Sequence, residues 1–331
     1  MSKESPPAKR QRTYECPDEE ITRASRFWFD DGNVVLQAEN RQYRVHRSML
    51  SRHSNIFRDM FNMPQPCEPA EPSVEGCPLI LLTDEAEDLE QVLSIFYDNI
   101  RTNDMRELLP YHQLASILRF GKKYEIDYLR DEGLKRLRLE FPTTLELWDN
   151  SYNQCLHIMG SPTIYYDVIN LAHELSIQSS LPTMYVGLIS TSNAKVLLSG
   201  RPLGRLSEEK VYLNQEALHS CLIGRDKILT AVQKILKDWV SRTDIIPANG
   251  CRSVDRCRSH RLVTILGLSI FNLLPTLDIL NPNPPIEPRK ICLVCVDSVK
   301  QAHSHVRKEI WESLPSYFDL PKWEDLKDFD Q

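Results

Sequence analysis

The chain has 331 residues, 41% of them hydrophobic and 26% charged, with 11 Gly and 21 Pro. This is a globular composition long enough for roughly two domains, and it excludes a fibrous or collagen-like chain. A formal net charge of −6 and a pI near 5.9 lack the global positive field of nonspecific nucleic-acid binding, so nucleic acid is not expected as a partner.

The longest uncharged apolar run, Leu262–Leu277, spans sixteen residues, short of the roughly 20 that cross a bilayer. No membrane span is expected. The opening MSKESPPAKRQR has no apolar core of a secretory signal, which points to an intracellular protein, cytoplasmic, nuclear or both. Nine cysteines is an odd count, so reduced thiols or a metal site are expected before a disulfide framework.

Residues 1–25 carry Pro6, Pro7 and Pro17 among mixed charges and read as a disordered tail, with Lys9-Arg10-Gln11-Arg12 as a candidate nuclear address. Asn33–Ala38 reads as a strand, Glu39-Asn40-Arg41 as a turn and Gln42–His46 as its half-buried partner, which makes a β-hairpin. Two short helices follow, the second capped by Ser54. Residues 62–78, with five prolines and three glutamates, read as a loop insertion. Leu79–Leu82 is an apolar run of strand length, expected to be buried. Leu89, Val92, Leu93, Phe96 and Ile100 then form a helical stripe, and further helices are marked by Leu114, Ile117 and Leu118 and by Ile126, Leu129 and Leu137.

Together, Asn33-Val34-Val35-Leu36, Tyr43 to Arg47, Leu50, Ser54, Phe57, Met60-Phe61, Leu93 to Tyr97 and Gly121 to Ile126 resemble the BTB/POZ domain, over residues 26–140. The motif residues are His46, Arg47, Leu50, Ser54, Phe57, Met60, Phe61 and Tyr124. The resemblance implies an α+β fold, a small sheet covered by helices, that acts in protein–protein interaction and commonly self-associates as a homodimer. Two positions depart from the family pattern. Asn33 stands where an Asp is common, which removes a charge that would face Arg47, and Asn40 stands in the hairpin turn where Gly is common. Asn tolerates the left-handed geometry such a turn needs.

Residues 141–331 read as a mainly α-helical C-terminal domain. Thr143 or Thr144 caps a helix with Leu145, Leu147 and Trp148; Tyr165, Val168, Ala172 and Leu175 form another stripe. Ile228, Leu229, Val232, Ile235, Leu236 and Trp239 make the clearest amphipathic helix in the chain. This layout resembles fungal BTB proteins with an uncharacterised helical C-terminal region, through Leu181 to Tyr185 and the ending around Trp311 and Trp323.

Chemistry concentrates in Cys251-x5-Cys257 and Cys292-x2-Cys295, with His260, His303 and His305 nearby. Two cysteine pairs can close a tetrahedral structural zinc site, with four cysteines or three and one histidine as ligands. Four reduced thiols packed beside helix ends is the other reading. Arg252, Arg256, Arg258 and Arg261 flank the first pair as a candidate DNA contact or a solvated charged face.

Among catalytic patterns, Gly267-Leu268-Ser269 lacks the second Gly of a nucleophile elbow, Gly121-Lys122 lacks the upstream Gly of a phosphate loop, and HExxH does not occur. The expected function is a non-enzymatic interaction module, with a substrate adaptor for a cullin-type ubiquitin ligase as its concrete form. BTB domains that bind a cullin often carry a hydrophobic-x-Glu motif, for which Met105-Arg106-Glu107 is the candidate. The alternative is a nuclear transcriptional or chromatin regulator with a zinc-stabilised C-terminal segment.

Overall fold

The hairpin expected at residues 33–46 forms the centre of a five-stranded mixed sheet. A computed structural model describes residues 20–63, 72–98, 108–151, 158–159, 161–204, 207–273, 280–283, 286 and 289–329. The chain divides into two compact units, residues 1–96 and 97–331.

In the first unit the strands are β1 (Thr22–Trp28), β2 (Val34–Ala38) and β3 (Arg41–Val45), followed by helices α1 (Arg47–His53) and α2 (Asn55–Asn62). The strands β4 (Ser73–Val74) and β5 (Cys77–Leu82) and the helix α3 (Ala86–Asp98) come next. The sheet order is β1-β3-β2-β5-β4, with β2 antiparallel to β3 and parallel to β5. Val34, Val35, Leu36 and Ala38 are fully buried because β2 is the central strand, which explains their unbroken apolar run. From α3, Leu89, Val92, Leu93 and Phe96 are buried as the stripe predicts; Ile100 lies outside the described residues.

Four local expectations change. The first strand starts at Thr22, inside the segment read as a tail, because Thr22 pairs with Arg41 and its N–H donates to the Asn40 carbonyl at 2.8 Å. Residues 1–19 of that tail, with the basic run, lie outside the described residues. The left-handed residue of the hairpin is Glu39, φ 51°, rather than Asn40. From there its carboxylate also serves the start of α3, where Oε2 accepts from the Ala86 N–H at 3.1 Å. Strands β4 and β5 begin inside the 62–78 insertion, of which residues 64–71 lie outside the described residues. Strand β5 is only half-buried, with Leu81 66% exposed on the sheet face it shares with Gln37, its partner on β2.

The second unit is built on β6 (Leu109–Pro110), α4 (Tyr111–Lys123), α5 (Asp127–Glu140) and α6 (Leu145–Ser151). Then come β7 (Ile158–Met159), α7 (Ile164–Leu175), α8 (Leu181–Thr191) and α9 (Ala194–Ser199). After β8 (Arg201–Pro202) and β9 (Lys210–Val211), three long helices complete it: α10 (Gln215–Ser241), α11 (Val254–Leu273) and α12 (Leu293–Tyr317). Asn214 caps α10, its Oδ1 accepting from the Ala217 N–H at 2.8 Å, and Ile228, Val232 and Trp239 are buried from the stripe read in the sequence. The Leu236 side chain lies outside the described residues. At α6 the cap is Thr144, whose Oγ1 accepts from the Leu147 N–H at 3.3 Å.

The core of this unit runs across residue 140, where the sequence places a domain boundary. Leu114, Leu118, Leu134 and Leu137 share one apolar cluster with Tyr166, Ile169, Tyr185, Trp311 and Phe318. Polar contacts follow the same path. The Arg119 guanidinium donates to both Glu174 carboxylate oxygens at 2.7 and 3.0 Å, and Lys122 Nζ donates to the Leu175 carbonyl at the end of α7 at 3.1 Å. Gly121 lets α4 and α5 approach closely: a Cβ there would lie 2.8 Å from the Arg130 backbone nitrogen.

Candidate metal centre

Each cysteine pair has one member in a loop and one in the first turn of a helix. Cys251 ends a β-turn in which its N–H donates to the Ala248 carbonyl at 3.0 Å, and Gly250 supplies the positive φ of 80° at the third position. Cys257 follows in the first turn of α11. Cys292 is the N-cap of α12, and Cys295 sits in that helix's first turn. Two helix N-termini therefore converge on the sulfurs, and their partial positive charge favours thiolates.

The four sulfur atoms lie within 4.8 Å of one another, and Cys251 Sγ is 3.6 Å from Cys292 Sγ. Tetrahedral zinc with Zn–S bonds of about 2.3 Å separates its sulfurs by about 3.8 Å, so the cluster meets the required geometry to within about 1 Å. Backbone donors aim at the sulfurs, among them Ala248 N–H to Cys295 Sγ and Cys292 N–H to Cys257 Sγ, each at 3.3 Å. Such outer contacts orient ligands and hold their charge.

The environments differ across the cluster. The Cys295 N–H, with that of Arg252 and the neighbouring thiols, holds Cys292 below the usual thiol range, to about 6, against the effect of burial. Burial pushes Cys295 up. Four clustered thiols, one of them held at a lowered pKa, are a donor set that a soft or borderline divalent cation can complete by displacing the protons.

All six described cysteines are free thiols. Two stand apart from the cluster: Cys221 is in the core, and Cys77 is buried, donating to the Gly32 carbonyl at 3.3 Å. Among the described residues the one metal-competent group consists of four cysteines, and none of the three histidines joins it. His260 faces the Arg256 carbonyl, His303 is buried on α12, and His305 pairs with Glu309 at 3.3 Å. Nor do the arginines act as one patch. Arg252, Arg256 and Arg258 are exposed, whereas Arg261 donates to the Trp239, Val240 and Arg242 carbonyls and caps the end of α10. That cap carries no local sequence signal, because donor and acceptors are about twenty residues apart.

Most motif residues of the first unit sit in its packing and helix starts. Leu50 and Phe57 are buried, with Met60 and Phe61 partly so, and Ser54 Oγ accepts from the Phe57 N–H at 3.1 Å to cap α2. His46 precedes α1, its Nε2 3.1 Å from Asp31 and its ring 5.3 Å from Phe29. Asn33 Oδ1 accepts from the Arg47 N–H at 2.8 Å, so the amide serves the start of α1 without the charge of an aspartate, and the Arg47 guanidinium lies 5.4 Å from the Phe61 ring. In the second unit, Tyr124 ends α4, buried against Phe120 at 5.0 Å. Met105-Arg106-Glu107 lies outside the described residues.

The first unit is thus a mixed sheet bordered by short helices, in which most motif side chains serve caps and packing. Residues 28–138 match the family model of the BTB/POZ domain, and this segment is a BTB/POZ domain, a protein–protein interaction module. Comparison with curated proteins gave no match. Among the described residues no helix is long and apolar enough to cross a membrane.

Proposed function

We propose that the chain is a non-enzymatic adaptor that self-associates through its BTB/POZ domain and binds a second protein with the helical region. A cullin-type ubiquitin ligase is the assembly this arrangement serves, with the helical region taking the substrate. The BTB/POZ match over residues 28–138 carries the reading. Exposed apolar side chains at Ile21, Met63 and Leu81, together with the edge strands β1 and β4, offer surface to a second copy. Structural zinc on Cys251, Cys257, Cys292 and Cys295 braces the helical region in this reading, as expected of a closed four-thiolate site. The layout resembles that of fungal BTB proteins with an uncharacterised helical C-terminal region.

Sedimentation velocity of the full chain should give a species of about twice the 38.4 kDa chain mass at micromolar concentration. A monomer throughout that range would remove self-association. Capture of a cullin by the full chain supports the ligase form, and self-association without capture would eliminate it.

A further inference from the structure

Near the end of the described chain, residues 327–329 pair through their backbone with the loop between α7 and α8, and Phe329 turns out of the bridge in a left-handed conformation, φ 61°. Ile177 and Asp328 form an antiparallel bridge; the Gln178 N–H donates to the Lys327 carbonyl at 3.0 Å and the Phe329 N–H to the Ser176 carbonyl at 2.9 Å. Gln178 Oε1 also accepts from the Lys327 N–H at 3.3 Å. Ser176 takes a left-handed conformation, φ 56°, which turns the chain out of α7 and leaves this backbone edge open to pairing.

The side chains supply selectivity. The Asp328 carboxylate is 8% exposed and receives three donors: Ser179 N–H at 3.0 Å, Ser179 Oγ at 2.8 Å and Arg138 Nη2 at 2.7 Å. Arg138 Nε also reaches Ser179 Oγ at 3.4 Å, holding the serine in the cradle. One residue on, the Arg130 guanidinium lies 5.8 Å from the Phe329 ring. Backbone pairing to a free edge, a carboxylate cradle and a cation beside an aromatic ring are elements by which proteins recognise short peptide segments.

We propose that Ser176–Ser179, Arg138 and Arg130 form a recognition site for a short segment carrying Asp followed by an aromatic residue in a turn, and that Lys327-Asp328-Phe329 fills it in cis. A partner bearing the same pair of residues takes the site when the cis segment is displaced. This rests on the reading of the helical region as the partner-binding half. Because the cis segment is tethered, it acts at an effective concentration in the millimolar range and masks the site from weak competitors.

The test uses the full chain with Asp328→Ala and Phe329→Ala and a fluorescent peptide of the sequence Trp323–Phe329. Anisotropy should show the peptide binding the double variant at least tenfold more tightly than the wild-type chain. Adding Arg138→Ala to the variant, or replacing Asp328 by Ala in the peptide, should abolish the gain. Equal binding to both chains, or binding indifferent to Arg138, would overturn the proposal. If the double variant lacks a cooperative melt, Asp328→Asn, which keeps the backbone bridge, replaces it under the same criteria. Failure here leaves the sedimentation result untouched, so the two readings fall separately.

Discussion

Replacing Cys257 or Cys295 by Ser is expected to reduce bound metal from about one equivalent per chain to below about a tenth and to lower the melting temperature by roughly 8–16 °C. Both sulfurs are fully buried, and each accepts a backbone N–H that a serine would meet at a different distance. Structural zinc contributes about 10–16 kcal/mol of apparent binding energy in small zinc peptides. If only about 4 kcal/mol of that reaches the stability of the second unit, the stated shift follows, at roughly 2–4 °C per kcal/mol for a unit of this size. Cys221→Ser is the control. It is as deeply buried but stands outside the cluster, so it should cost about 1–3 kcal/mol and leave the metal content unchanged. Measured metal content and melting curves of the three variants distinguish loss of a ligand from loss of a packed thiol.

A fragment ending at residue 140 is expected to lose cooperative folding although it holds the whole segment that matches the BTB/POZ model. Leu114, Leu118, Leu134 and Leu137 belong to an apolar cluster completed by residues beyond 140. Fully burying such a side chain is worth about 1.5–3 kcal/mol, so uncovering the four forfeits at most about 6–12 kcal/mol. That is comparable to the entire stability of a typical domain, about 5–15 kcal/mol. The Arg119–Glu174 and Lys122–Leu175 contacts are lost in the same cut. Gel filtration and thermal melts of residues 20–140 against the full chain check this: aggregation or a non-cooperative melt is expected, and a monodisperse fragment with a sharp transition would show that the BTB/POZ helices need no covering.

The elements most legible in the sequence are those set by local chemistry. The β2–β3 hairpin, the Ser54 cap and the stripes on α3 and α10 each follow from spacing within a dozen or so residues, and the structure places them where that spacing predicts. The cysteine pairs are legible for the same reason: each pair is local, and both stand at helix starts. What the sequence did not reveal depends on distant partners. Glu39 rather than Asn40 takes the left-handed position where its carboxylate meets the start of α3, forty-seven residues away. Leu81 is exposed on the sheet face it shares with Gln37 of β2, a pairing that the apolar run cannot report. The 140/141 boundary follows the end of a family pattern, whereas packing follows apolar area, and the α4 and α5 stripes do not say which partner covers them. Asp328 reads as one more surface charge until Ser179 and Arg138 are seen around it.

In the proposed function, four thiolates at the starts of α11 and α12 hold one metal ion that braces the helical unit. Elemental analysis of the full chain, purified without chelator and quantified against amino-acid analysis, tests this most directly. The expected result is one zinc per chain, with a lower melting temperature once a strong chelator has removed it. Metal below about a tenth of an equivalent, with a melting curve that chelation leaves unchanged, would contradict it and leave Cys251, Cys257, Cys292 and Cys295 as packed thiols.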